Sequence, residues 1–233
     1  MCELADALPW ETPESSDSAM ERGLFMLSIV RANGGIVTEF PLLQSELLLN
    51  SDADGLPEGS PEIDQARVRL CLQAGTLFIE ELGGGDGLFR RIRDSEALLL
   101  PCELRMGSHR FLLQALEPAD HMPLPGFWGA PSVSFRARLI DLLEGGLVGD
   151  VFLLRDGSAL IGREKGDVVC FPTDSFISGR HAQLLIEGNL AILTDLNSSN
   201  GTFVRAQGRR PIFDGDQFLI GSHLLKFALV AKT

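Results

Sequence analysis

The segment Gly162–Thr202 reads G-R-E-K-G-D-V-V-C-F-P-T-D-S-F-I-S-G-R-H-A-Q-L-L-I-E-G-N-L-A-I-L-T-D-L-N-S-S-N-G-T. Gly162-Arg163 closes the apolar run Leu160-Ile161, Ser178-x-x-His181 precedes a second apolar run, and Asn200-Gly201 is a turn dipeptide preceded by Ser198-Ser199. The residues between read as short β-strands, so these polar groups fall in connecting loops. A fork of Arg donors, Ser hydroxyls and Gly backbone N–H groups on a rigid β scaffold suits a bound phosphate.

The G-R, S-x-x-H-A and S-x-N-G-T elements, with the later F-D-G-D-Q-F-L-I-G, resemble the forkhead-associated (FHA) domain over about residues 134 to 231. The resemblance implies a β-sandwich whose loops bind phosphothreonine peptides. It implies that Arg163, Ser178, Ser199 and the Gly179 N–H hold the phosphate and that Asn200 bonds the peptide backbone. Gly162, His181 and Gly201 are implied to shape the loops. It further implies peptide selectivity at the loop before Ser178. Alternation turns Ile177 inward and Phe176 outward there, with Asp174 repelling an acidic peptide side chain. Lys165 is a possible addition to the positive potential.

Residues 63–116 align without a gap on 177–230 at a shift of 114 (201 − 87), including Gly107-Ser108-His109 with Gly221-Ser222-His223. The expectation is all-β: two FHA-type β-sandwiches in tandem joined by a Pro-rich linker. The expected divisions are a flexible acidic tail (1–22), a degenerate FHA-like sandwich (23–116), the linker (117–133) and the phosphopeptide-binding domain (134–233). In the first copy Asn50-Ser51 stand for Gly162-Arg163, Asp64 for Ser178, Arg67 for His181 and Gly85-Asp86 for Ser199-Asn200. Carboxylates replace phosphate ligands, so that copy is expected to be silent towards phosphate. Thr12 in the tail is a candidate for self-binding, and Phe127-Trp128 are expected to pack on a domain.

Composition narrows the function. The 233 residues carry a net charge of −12, which argues against nucleic acid and anionic membrane as partners. No stretch approaches a membrane span, and the N-terminus lacks a signal-peptide pattern. Cys2, Cys71, Cys102 and Cys170 form no C-x-x-C pair. No metal or other cofactor is expected, and the thiols are read as buried and free, in keeping with a cytoplasmic location. Ser178 and His181 look like a nucleophile and its base, but no orienting carboxylate or oxyanion hole accompanies them, so an enzyme is not expected. Arg209-Arg210 read as a solvated hairpin end.

Two functions remain. One is a phosphothreonine-peptide-binding adaptor in Ser/Thr kinase signalling, whose partner is a phosphorylated protein such as a kinase or its substrate. The other is a phosphate-independent scaffold or assembly protein, for instance of a secretion apparatus. The sequence leaves the oligomeric state open.

Overall fold

Strands form where β-branched and aliphatic residues alternate with polar ones, and Gly-containing turns separate them. Arg180–Glu187 shows the pattern well: His181, Ala182, Leu184 and Ile186 are buried, while Gln183 and Leu185 are partly exposed. The computed structural model describes residues 24–31, 36–42, 45–49, 68–83, 87–116, 135–164, 166, 168–188, 190–221 and 223–230. The tail with Thr12, the linker with Phe127-Trp128, Lys165 and the first-copy positions Asn50, Ser51, Asp64, Arg67, Gly85 and Asp86 lie outside them.

The first half contains β1 (Leu24–Arg31), β2 (Ile36–Pro41), β3 (Glu46–Leu49), β4 (Val68–Gln73), β5 (Thr76–Glu81), β6 (Leu88–Arg91), β7 (Ser95–Leu98), β8 (Cys102–Met106) and β9 (His109–Ala115). The second half contains β10 (Ala137–Leu142), β11 (Val148–Leu154), β12 (Gly157–Gly162), β13 (Val169–Cys170), β14 (Arg180–Glu187) and β15 (Leu190–Asp195). It ends with β16 (Thr202–Arg205), β17 (Arg209–Pro211), β18 (Gln217–Ile220) and β19 (His223–Val230). The 114-residue shift recurs in the strands: β5 and β15, and β6 and β16, have matching bounds.

The pairing departs from two consecutive sandwiches. One sheet of ten strands runs β11-β10-β9-β8-β16-β6-β18-β19-β1-β2. The hairpin β8–β9 of the first half therefore lies beside β10, and the hairpin β18–β19 of the second half lies beside β1. Two smaller sheets complete the layers, β17-β5-β4-β3 and β13-β12-β14-β15-β7, and each again borrows one strand from the opposite half.

The cores follow the same exchange. One joins Leu27, Ile29, Val68, Leu70, Leu77 and Ile79 with Phe218, Ile220, Leu225 and Phe227. The other joins Ile161, Ala182, Leu184, Ile186 and Leu193 with Leu104, Met106, Phe111 and Leu113. Burial of each such Leu, Ile or Phe contributes about 1.5–3 kcal/mol, so neither half completes a core alone. The division expected between residues 117 and 133 thus does not separate the cores, because strands on both sides of it enter each one.

The exchange has a centre. β6 and β16 pair antiparallel with Phe203 opposite Arg91 and Arg205 opposite Phe89, a register that maps onto itself under the 114-residue shift. Each strand carries an Arg across to the other half's glycine. The Arg205 guanidinium occupies the space of a Cβ at Gly87, and Arg91 that at Gly201. Both glycines have positive φ, 91° and 86°, which an L side chain disfavours. Arg205 also donates to Glu81 at 2.7 Å and Glu103 at 3.2 Å, both from the first half.

Two smaller expectations change. Arg209-Arg210 do not cap a solvated hairpin: they form β17, paired with β5, and Arg209 lies 4.2 Å from the centre of the Phe78 ring. Cys71, Cys102 and Cys170 are free but only half-buried. Burial first, then the nearby Glu96 and Glu103 carboxylates, pushes the Cys102 thiol up to about 12.

Candidate phosphopeptide site

The candidate residues come from three places: the end of β12, the loop that leads into β14, and the loop between β15 and β16. β12 ends at Gly162 because Arg163 leaves the ladder, its amide turning to the carbonyl of Gly179 at 3.0 Å. That bond brings the G-R turn beside the S-x-x-H loop. Arg163 is exposed, and among the described residues its guanidinium makes no ion pair. The Cys170 thiol donates to the carbonyl of Glu164 at 3.2 Å and pins the far side of the turn.

Ser178 joins the second and third segments. Its hydroxyl oxygen accepts the Ser199 amide at 3.1 Å, leaving the hydroxyl proton free to donate outward. The Asn200 side-chain amide donates to the carbonyl of Phe176 at 2.8 Å. Arg163, Ser178, Gly179, Ser199 and Asn200 therefore belong to one hydrogen-bonded group of loops. Ile177 is fully buried and Phe176 is half exposed.

His181 lies beneath, with no exposed surface. Its Nδ1 accepts the Ser178 amide at 3.1 Å, so Nε2 carries the proton and donates to the carbonyl of Gly201 at 3.1 Å. The imidazole is thus neutral. Burial lowers its pKa from the ordinary value, outweighing the opposing pull of the Gly201 carbonyl and of Asp195 and Asp174. Both ring nitrogens are committed to backbone groups, so neither takes a proton from the Ser178 hydroxyl.

Asp195, which the motifs did not single out, holds the loops together with Ser198, and Asp174 does so on the other side. Asp195 accepts the Ser198 and Thr202 hydroxyls, both at 2.6 Å, and the Ser198 amide at 3.1 Å. Ser198 in turn accepts the Gly201 amide at 3.0 Å. The sequence signal was present in D-L-N-S, where a carboxylate takes the amide and hydroxyl of the residue three positions on. Asp174 corrects an expectation. Its carboxylate does not face the peptide side but is 8% exposed, accepting the Phe176 amide at 2.7 Å and, at 2.9 Å each, the amide and hydroxyl of Ser108. Burial alone would raise its pKa; these hydrogen bonds and the nearby His109 outweigh it, and the carboxyl sits below its ordinary range.

One carboxylate does reach the site. A Cβ built on Gly179 would come within 2.7 Å of the Glu164 Oε1, so the Glu164 side chain lies against the glycine. Among the described residues no cluster of three or more His, Cys, Asp or Glu is arranged to hold a metal ion, and no helix is long and apolar enough to cross a membrane.

This arrangement coincides with a family assignment. Residues 159–221 match the FHA domain. The match spans every candidate residue of the site. The FHA segment is 36% identical over 76 residues to FhaB and 37% identical over 75 residues to FhaA, both FHA domain-containing proteins of Mycobacterium tuberculosis. These alignments cover 33% and 31% of this chain, but 48% of FhaB and 14% of FhaA, so the chain spans less than half the length of these relatives. A solved structure described as showing phosphothreonine-dependent FHA domain interactions shares 32% identity, covering 40% of this chain and 96% of its own, with a TM-score of 0.26. The FHA match also takes in β17, which pairs here with β5 of the first half, and β18, whose Phe218 and Ile220 lie in the core with Leu27 and Ile29.

Proposed function

We propose that this chain is a phosphothreonine-peptide-binding adaptor in Ser/Thr kinase signalling, with Arg163, Ser178, Gly179, Ser199 and Asn200 as its phosphopeptide ligands. The observation that carries the reading is the Ser178–Ser199 hydrogen bond, which joins the S-x-x-H and S-x-N-G loops beside Arg163, whose guanidinium makes no ion pair among the described residues. A phosphate dianion there gains the Arg fork, the Ser178 hydroxyl proton and the Gly179 amide. The partner is a protein bearing phosphothreonine, with a kinase or its substrate as the leading class. The role is capture rather than catalysis, since His181 serves the backbone. The free thiols support a reducing, cytoplasmic setting.

A phosphate-independent scaffold is the second reading, and Glu164 against Gly179 favours it, because a carboxylate occupies part of the pocket. Calorimetric titration of the whole chain separates the two. A phosphothreonine peptide is expected to bind and its unphosphorylated form is not. Arg163→Ala is expected to weaken binding by at least about tenfold, the loss of a hydrogen bond to a charged group. Equal affinity for both peptides would leave the scaffold reading standing.

A further inference from the structure

The loop that presents Phe176 and Ser178 is not held by its own half of the chain alone. Its Asp174 turns away from the surface and meets the β8–β9 turn, Gly107-Ser108, which belongs to the first repeat. The fit is close. A Cβ on Gly107, whose φ is +57°, would lie 2.5 Å from both Asp174 Oδ2 and the Ile177 side chain. The two Asp174 oxygens have separate tasks: Oδ2 takes the Ser108 amide and hydroxyl, and Oδ1 takes the Phe176 amide. The Phe176 carbonyl then takes the Asn200 side chain. An unbroken chain of hydrogen bonds thus runs from Ser108 through Asp174 and Phe176 to Asn200. A second contact has the same origin, since Arg91 of the first repeat covers Gly201 in the neighbouring loop.

We propose that the first repeat is a working part of the phosphopeptide site: Ser108, acting through Asp174, is a positioning residue for the loop carrying Phe176, Ser178 and the Asn200 contact. This rests on the phosphopeptide reading for its consequence, but not for its geometry. It gives the first repeat a role that requires no phosphate pocket of its own. Ser108 sits in a two-residue turn between β8 and β9, with β8 paired to β9 along its whole length, so removing its hydroxyl leaves the hairpin ladder intact.

The test uses the full chain and two readouts. Amide hydrogen exchange at Phe176, Ser178 and Ser199 reports loop order with no ligand present, and titration with a phosphothreonine peptide reports the site. Ser108→Ala is expected to speed exchange at those amides and to weaken the peptide about three- to tenfold, the net worth of an ordinary hydrogen bond, because Ser108 acts on the peptide only through the loop. Ser108→Thr, which keeps the hydroxyl, should restore both. Adding Asp174→Asn to Ser108→Ala should cost less than the two single effects combined, because both act through one contact. Arg163→Ala should weaken the peptide and leave exchange unchanged. Wild-type exchange and affinity in Ser108→Ala, with Arg163→Ala impaired, would overturn the proposal. If the wild type binds no phosphopeptide, the functional reading falls instead, and exchange alone decides: faster exchange in Ser108→Ala supports positioning, unchanged exchange refutes it.

Discussion

Glu164 Oε1 and Gly179 are packed so closely that a Cβ on the glycine would stand 2.7 Å from the carboxylate oxygen. On the proposed phosphopeptide reading the Gly179 amide faces the phosphate, and the Glu164 carboxylate packed beside the glycine repels a dianion placed there. Glu164→Gln removes the charge and keeps the shape. It is expected to tighten phosphothreonine-peptide binding about three- to tenfold at low salt, with the gain shrinking as salt screens the pair. Unchanged affinity across a salt series would show that Glu164 swings clear at no cost.

His181 sets a pH dependence. Its folded pKa lies below the ordinary value of 6.5, so the unfolded chain binds the proton first as pH falls. Its contribution to stability is complete above that value and is lost as pH drops from about 6.5 towards the folded pKa. Urea midpoints measured between pH 7.5 and about 5 should fall less steeply for His181→Gln than for the wild type. Parallel curves would assign the acid sensitivity to other groups.

Phe176 stands half exposed beside the Asn200 contact. An apolar residue at the third position after the phosphothreonine is expected to bind more tightly than Asp or Glu there. Because Asp174 is turned inward, this preference rests on apolar contact with Phe176 alone, and Phe176→Ala should abolish it. A peptide array varying that one position checks this, and an undiminished preference in the variant would place the selectivity elsewhere.

The strand exchange predicts a cross-link. Ser28 in β1 lies opposite Lys226 in β19. Ser28→Cys with Lys226→Cys should form a disulfide within one monomer. In unexchanged sandwiches the 114-residue shift would place Leu112 at that position instead. Cross-linking of Ser28→Cys with Leu112→Cys, and not with Lys226→Cys, would disprove the exchange; non-reducing electrophoresis distinguishes the products.

The strands and their repeat were legible in the sequence because apolar alternation and Gly turns are local signals. Which hairpin closes which core was not. The turns Gly107-Ser108-His109 and Gly221-Ser222-His223 are identical, and Phe111 and Leu113 of one hairpin match Leu225 and Phe227 of the other in position and apolar character. Either hairpin satisfies either sheet by hydrophobic pattern, so the choice lies in pairings between distant strands. Within the site, the G-R, S-x-x-H and S-x-N-G residues were legible as loop groups, and the structure brings them together. The inward turn of Asp174 was not, because its partner Ser108 lies 66 residues away in the other repeat. Nor was the reach of Glu164, which depends on a side-chain direction that motif spacing does not carry.

The pairing of β1 with β19 ties Leu24 to Val230, the first and last described residues of the chain. During synthesis the strands that open the first core emerge from the ribosome without their neighbours. At roughly 5–20 residues per second, they wait on the order of ten seconds or more for β18 and β19 to follow. Throughout that interval Leu27 and Ile29 lack the Phe218 and Phe227 that later cover them. A nascent chain of this kind offers apolar strand edges to chaperones, and folding is gated by translation of its last hairpin.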